Sequence, residues 1–497
     1  MMNQKDEERK KQVAHIIEIP AEYHLVVDDQ TVNEPFHVLF WEHQDNNEKN
    51  IRISLNRYTG KLIELDIDDE AFFPSNNEEM REETAKEIAH SFVKKYVPAE
   101  YEEYTYVDVK EWCGMQEVHY SQEVNGYPLP HTGCIVRIHP SGNVIAFRNH
   151  NGKKEKPVWP EVIVEKEQVL QQLKERQEMK LVFAQLFPEL DEYEGGKEVN
   201  GYRLVYEPEP SSALVDACTG ENLFEPEHYK LPSTVAISML QNNKEQEKDI
   251  FRLLALEEKG FMKVSEDDCG NEIRMRFVPK EELQNKQGAK HTYLMDDFYK
   301  KHLPMLRYKN HVMVGIDKAT NTLLHYFCSP SEREGKVILS REECLEKALQ
   351  FLEHVIPNAV EYLRLWDNHD EEDSPGRLCF SVYINGIPVE CLLVMINIDT
   401  ETGDVTMYSG ISQSIIEELL TYETSAKVRK EQALETYRSA LRVELQWHEN
   451  HDTDTPKYEL IYKQMATEDS EEDQKDDGVC RKIRYIDAHT GEIIWSK

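Results

Sequence analysis

Hydrophobic and polar residues change places along this chain with two different periods. Val38 and Phe40, then Ile51, Ile53 and Leu55, alternate with polar neighbours, as half-buried strands do. Asn56-Arg57-Tyr58-Thr59-Gly60-Lys61-Leu62 predicts a turn into a new strand, with Gly60 supplying the positive φ that a bulged hairpin requires. Over 82–97 the period becomes helical. Ala85, Ile88, Ala89, Phe92 and Val93 fall on one face, and Pro98 ends the helix. Strands are predicted at 104–109, 117–124, 135–139 and 144–148, with Asn125-Gly126 and Ser141-Gly142-Asn143 as hairpin turns. A second helix starts at Val164 with the stripe Val164, Val169, Leu170 and Leu173, and is drawn on to about Phe187. Strands at 202–206 and 213–216 finish the series at the turn Thr219-Gly220.

The series then returns. Val124-Asn125-Gly126-Tyr127-Pro128-Leu129 reappears as Ile384-Asn385-Gly386-Ile387-Pro388-Val389, and Val215-Asp216-Ala217-Cys218-Thr219-Gly220-Glu221 as Ile486-Asp487-Ala488-His489-Thr490-Gly491-Glu492. The helix at 341–356, the strands at 312–316, 323–326, 378–384, 393–398 and 405–408, the helix at 427–441 and the strands at 458–462 and 483–487 follow in the same order. An internal repeat fixes the architecture before any other argument. The expected organisation is a charged N-terminal segment over 1–30, a first repeat over 31–226, a connecting region over 227–308 and a second repeat over 309–497. The connecting region has no counterpart in the first repeat by sequence; within it 245–259 reads as a helix, 272–277 as a strand and 296–302 as a helical turn. Whether the repeats pack as a pseudo-symmetric pair or as beads is open at this point. A run of acids over 468–477 is expected to be a polar insertion in a hairpin.

Charge narrows the functions. Lys and Arg number 58 against 94 Asp and Glu, a net charge of −36. Such a field repels phosphate backbones and anionic lipid, and Arg9-Lys10-Lys11 is offset by Asp6-Glu7-Glu8, so no nucleic-acid partner is expected. The start has no apolar core of a secretion signal, and no apolar run is long enough to span a bilayer. The nine cysteines contain no C-x-x-C pair. Together these point to a soluble, cytoplasmic protein without membrane insertion.

Candidate chemistry is sparse. Asp216 and Asp487 could be read as carboxylates of a shared site, but a turn in which Asp accepts backbone amides and Gly takes the left-handed position explains both residue types. In 399–404 the glycine is one residue early for a calcium loop. His448, Glu449 and His451 lie close on a polar stretch after a helix, and Cys113 with His119 is too generic for a nucleophile and base. Neither G-x-S-x-G, a P-loop nor G-x-G-x-x-G is present. No catalytic, cofactor-binding or metal-ligating residue is assigned, and no cofactor is expected. The six Trp include Trp159 and Trp495 near module ends, where packing between modules is the simpler account.

The order strand, Asn-Gly-x-Pro, strand, Asp-x-x-Thr-Gly turn, strand resembles the repeated domain named after the YcdB and YcdC proteins of Bacillus, itself similar to PepSY modules. The matching stretches are 117–148 and 377–408, with 216–221 and 487–492, and the resemblance covers 36–226 and 309–497. It implies an α+β fold: two copies of a PepSY-like module, each of antiparallel β-hairpins forming a sheet, with helices packed on one face. It also implies a binding or scaffold protein rather than an enzyme, with a protein such as a peptidase, or an extended peptide, as partner. The alternative is an enzyme with its site between the repeats, which would bring at least two titratable side chains into one pocket.

Overall fold

A computed structural model describes residues 2–29, 35–69, 72–73, 80–112, 114–150, 154–194, 196–223, 232–238, 250–281, 283, 310–329, 338–367, 375–451, 457–466 and 482–496. The chain opens with α1 (Met2–Val13), β1 (Tyr23–Asp29), β2 (Phe36–His43), β3 (Asn46–Asn56), β4 (Leu62–Asp68), α2 (Glu82–Tyr96), β5 (Tyr106–Trp112) and β6 (Met115–Ser121). A short hairpin, β7 (Glu123–Val124) and β8 (Tyr127–Pro128), precedes β9 (Cys134–Ile138) and β10 (Val144–Asn149). Eight of these strands form one antiparallel sheet in the order β1-β2-β3-β4-β10-β9-β6-β5. Ala85, Ala89 and Val93 of α2 are buried on the β6–β9 part of that sheet, the face the helical period requires. Its core draws only on residues between Val13 and Phe147.

The charged α1 is docked by a buried carboxylate. Asp28 on β1 receives Lys5 Nζ at 2.9 Å and Arg9 Nε at 3.0 Å, with His37 Nε2 at 2.7 Å. Trp41 Nε1 donates to Asp6 Oδ1 at 3.1 Å. Burial alone would push the Asp28 carboxyl up, but the hydrogen bonds of His37, Lys5 and Arg9 outweigh it and hold the group far below its ordinary 3.8. A depressed carboxyl contributes stability that is present above its unfolded pKa and lost as pH falls below it. Asp28→Ala should therefore cost about 3 kcal/mol at neutral pH and undock α1. The check is hydrogen exchange over Met2–Val13, which should rise in the variant at pH 6 and in the wild type only below pH 4; unchanged protection in the variant would refute the docking role.

The second half repeats the sheet. After β16 (Thr234–Ala236) and α4 (Ile250–Leu253) come β17 (Phe261–Asp268), β18 (Glu272–Pro279), β19 (Val312–Asp317) and β20 (Leu323–Cys328). Then follow α5 (Arg341–Val355), α6 (Ala359–Tyr362), β21 (Leu363–Trp366), β22 (Arg377–Ile384), β23 (Ile387–Ile398) and β24 (Val405–Ser409). Their order, β17-β18-β19-β20-β24-β23-β22-β21, copies that of the first sheet strand for strand. Thus β17 and β18 stand where β1 and β2 stand, although the turn and helix signals of the sequence give their segment no counterpart in the first repeat. One strand is added: β16 pairs antiparallel with the edge strand β21, Val235 opposite Leu365.

The remaining elements are exchanged between the repeats. In the first repeat they are α3 (Lys166–Arg176), β11 (Glu178–Leu186), β12 (Asp191–Tyr193), β13 (Lys197–Glu198), β14 (Gly201–Glu209) and β15 (Leu214–Asp216). In the second they are α7 (Gln413–Leu419), α8 (Lys430–Ala440), β25 (Leu441–Asn450), β26 (Lys457–Ala466), β27 (Lys482–Asp487) and β28 (Ile493–Ser496). The strand that ends in the Asp-x-x-Thr-Gly turn of each repeat pairs with the hairpin of the other: β27 with β14, Val205 opposite Asp487, and β15 with β26, Asp216 opposite Ile461. Each helix does the same, α3 packing on β25–β26 and α8 on β11–β14. Matching residues make matching bonds across the exchange. Tyr206 Oη donates to Val428 O and Tyr462 Oη to Val164 O, both at 2.8 Å. The repeats are therefore a pseudo-symmetric interlocked pair, and a parallel contact of β11 with β23 joins the exchanged strands to the second sheet.

Among the described residues one turn serves five times. Asn56, Asp216, Asp317, Asp399 and Asp487 each use a side-chain Oδ1 to accept two backbone N–H groups of the following residues at 2.7–3.1 Å. The fifth residue is Gly60, Gly220, Asn321, Gly403 or Gly491, all at positive φ. Two expectations are corrected. The helix from Val164 does not reach Phe187: it stops at Arg176 and β11 begins. Short apolar runs fit either period, and the tertiary partner strands decide them. The helix expected over 245–259 is, among its described residues, only α4, and 254–260 form turns. The expected turn at 296–302 and the acidic run at 468–477 lie outside the described residues. No helix among those described is long and apolar enough to cross a membrane.

Candidate functional site

The exchange creates a cleft of about 270 Å³ between the repeats, lined by Glu207, Glu390, Lys463, Gln464, Arg484 and Tyr485 among others. Glu207 comes from β14, Glu390 from β23 and Arg484 and Tyr485 from β27, so neither repeat contains the cleft alone. Burial, then the charge of Glu390, pushes the Glu207 carboxyl up from 4.5 to about 7, while Lys180 and Arg484 act the other way. Tyr485 Oη donates a short hydrogen bond to Glu390 Oε2. Burial and Glu390 push this phenol up, so it stays a donor. Arg484 Nη1 is held by Asp191 Oδ1 at 2.7 Å. Cys391 adjoins Glu390 at φ 56°. Burial and the two glutamates raise its pKa, which keeps the thiol protonated and a poor nucleophile. The arrangement provides one carboxyl that exchanges a proton near neutrality beside one hydrogen-bonded carboxylate.

A second corner lies where the first sheet meets the β25–β26 hairpin. Glu449, at the end of β25, is 6% exposed. Lys154 Nζ contacts its two oxygens at 2.7 and 2.8 Å, and His131 Nδ1 lies 2.9 Å from Oε2. Burial would raise this carboxyl, and the hydrogen bonds from Lys154 and His131 more than reverse that. His451 Nε2 is 3.9 Å from the same oxygen. Aromatic packing fastens the corner: Trp159 stacks on Tyr127 at 5.6 Å and meets Trp447 edge-on at 5.8 Å. Trp159 thus packs between modules, as expected of a tryptophan at a module end.

Asp216 and Asp487 do not converge on a site; each is occupied by its own turn. The stretch 399–404 is a turn of the same kind. Cys113 lies outside the described residues, and His119 pairs with Glu117 Oε1 at 2.6 Å. Of the histidine cluster, Glu449 and His451 share a corner with His131, a residue the sequence reading passed over because it stands 318 positions away. Glu207 was passed over as well. A signal for it exists: where Tyr202–Tyr206 matches Tyr458–Tyr462, the next position reverses charge, Glu207 against Lys463, and both line the cleft.

The model of the YcdB, YcdC repeated domain matches residues 6–151 and 226–412. The chain belongs to the YcdB/YcdC repeated-domain family. Two matches to one chain agree with the doubled eight-strand order, and the second, from residue 226, takes in the whole segment that supplies β17 and β18. Family relatives include the uncharacterized proteins YcdB and YcdC of Bacillus subtilis (strain 168). The first is 24% identical over 500 residues, covering 99% of this chain and 98% of the relative; the second is 25% identical over 464 residues, covering 91% and 95%. Among solved structures, the Bacillus megaterium YpeB C-terminal domain aligns with 44% of this chain and 98% of its own, at 16% identity and a TM-score of 0.27.

Proposed function

We propose that this YcdB/YcdC-family protein is a binding module that takes an extended protein segment along a sheet edge. The observation that carries the reading is β16. It adds to the edge strand β21 of the second sheet, with Asp367 N donating to Ser233 O at 2.7 Å where the pairing ends. The matching edge of the first sheet, β5, is terminal and pairs only with β6 among the described residues. Its Val107 is 39% exposed. A partner strand would repeat on β5 what β16 does on β21, the backbone ladder giving affinity and alternate side chains giving specificity. Likeness to PepSY modules supports the same class of ligand, an extended segment of a peptidase or of its substrate.

The test is selection of peptides from a displayed library on the intact protein, followed by binding to Val107→Pro and Asp108→Pro. Successive N–H groups of a strand point to opposite edges, so one of these two variants removes only the outward donor. That variant should keep its melting temperature and lose at least about 1.4 kcal/mol of binding, a tenfold change. Selected peptides that bind both variants as they bind the wild type would rule out the β5 edge. A second reading, an enzyme with its site in the inter-repeat cleft, is favoured by the Glu207 carboxyl held near neutrality.

A further inference from the structure

We propose that His131, Glu449 and His451 form a zinc site that clasps the first sheet to the β25–β26 hairpin. One ligand atom from each of the three residues lies within 4.8 Å of the others. Two imidazoles and a carboxylate are a donor set that zinc takes, with bonds of about 2.0–2.2 Å and hence donor separations of roughly 3.3 Å in a tetrahedron. His131 Nδ1 and Glu449 Oε2 stand at 2.9 Å, near that separation. His451 Nε2 is 3.9 Å from Oε2, and its side chain is 61% exposed, so a rotamer adjustment closes the set.

The two fixed ligands are held as a site requires. Glu449 is buried, and its strand neighbour across the hairpin is Tyr458, whose Oη donates to Pro130 O at 2.9 Å, one residue before His131. His131 itself adopts φ 54°, a left-handed conformation uncommon for a residue with a side chain. Its loop is pinned on both sides. Thr132 Oγ1 donates to Leu129 O at 2.7 Å and accepts from Gln122 N at 3.0 Å. A Cβ at Gly133 would stand 1.8 Å from Tyr120 O, so the loop meets β6 backbone to backbone. His451 stands one residue beyond the end of β25, with its ring 6.0 Å from that of His131, whereas His448, inside the strand, falls on the side opposite Glu449. Lys154 is the competing cation. With zinc on Oε2, Lys154 keeps Oε1 at its 2.7 Å contact and becomes the outer partner that orients the carboxylate. In a tetrahedron one coordination position then remains, which water would take.

The test uses the full chain, stripped with a chelator and titrated with zinc chloride by calorimetry, with melting temperature followed in parallel. We expect one zinc per chain, a higher melting temperature, and a tetrahedral absorption spectrum when cobalt(II) replaces zinc. Loss of even an outer partner of a metal typically costs about 10–100-fold in affinity, so loss of a direct ligand, in His451→Ala or His131→Asn, should weaken zinc by roughly tenfold or more. Asn is chosen at 131 because it tolerates positive φ. His448→Ala should bind zinc as the wild type does. No zinc-dependent rise in melting temperature, or equal zinc affinity in the doubly substituted protein, would overturn the site and assign any uptake to the acidic surface.

Discussion

Replacing Glu207 with glutamine is expected to stabilise the protein above pH 7 and to leave its stability unchanged at pH 4. The folded carboxyl titrates near 7 and the unfolded one near 4.5. Below the unfolded value both states hold the proton, and the group contributes equally to each. Between the two values the unfolded chain ionises and the folded one does not, so stability falls as pH rises through the folded pKa. The difference converts to a loss of up to about 3 kcal/mol at about 1.4 kcal/mol per pKa unit, less for whatever water reaches the half-buried side chain. Glutamine carries no such dependence. Denaturant midpoints of wild type and Glu207→Gln should coincide at pH 4, diverge as pH rises to about 7 and stay apart by a constant amount at pH 8. Parallel curves over that range would show that the cleft does not perturb Glu207. Glu390→Gln should recover part of the effect, since the charge of Glu390 is the second cause of the shift and burial, the first, remains.

The behaviour of Glu207 illustrates what the sequence could and could not disclose. The repeat, the strands from β2 to β10 and the helix on each sheet follow from period and turn chemistry, which are local, whereas β1 and β17 carry no such signal. The Asp-x-x-Thr-Gly turns are legible because the side chain, the two amides and the left-handed glycine all lie within five residues. The strand β11 was hidden because its apolar run, Met179, Leu181, Val182, Phe183 and Leu186, fits the end of a helix as well as a strand, and its partners lie in β14 and β23. The cleft was hidden for the same reason at greater range. Glu207, Glu390 and Tyr485 are far apart in the chain and meet only because β15 and β27 change places. The zinc-site proposal has this character too: a loop of the first repeat supplies one ligand and the second repeat supplies two.

Cutting the chain after residue 226 is expected to leave 166–223 unfolded while the first sheet survives. The first sheet has a core of its own, drawn from Val13 to Phe147, so a fragment of residues 1–150 should unfold cooperatively. The exchanged half has no such independence. Val182, Ala184, Leu186, Val199 and Val205 form one buried cluster with Tyr485 and Ile494 of the second repeat. Phe183 and Leu204 are buried in the large shared core, and α8 covers β11 and β14. Removing the second repeat strips those faces and the partner strands β26 and β27 together. Each large apolar side chain returned to water forfeits about 1.5–3 kcal/mol, so a handful of them exceeds the about 5–15 kcal/mol that holds a whole domain. Hydrogen exchange should therefore find β11 and β14 unprotected in fragment 1–226, and its melting curve should match that of fragment 1–150. Adding fragment 227–497 in trans should restore protection to β11 and β14, because the two repeats complete each other by strand exchange and the peptide bond between them only raises their effective concentration. Native-like protection of β11 and β14 in fragment 1–226 alone would show that the exchange is a docking of finished modules, and that the first repeat closes its own sheet without the second.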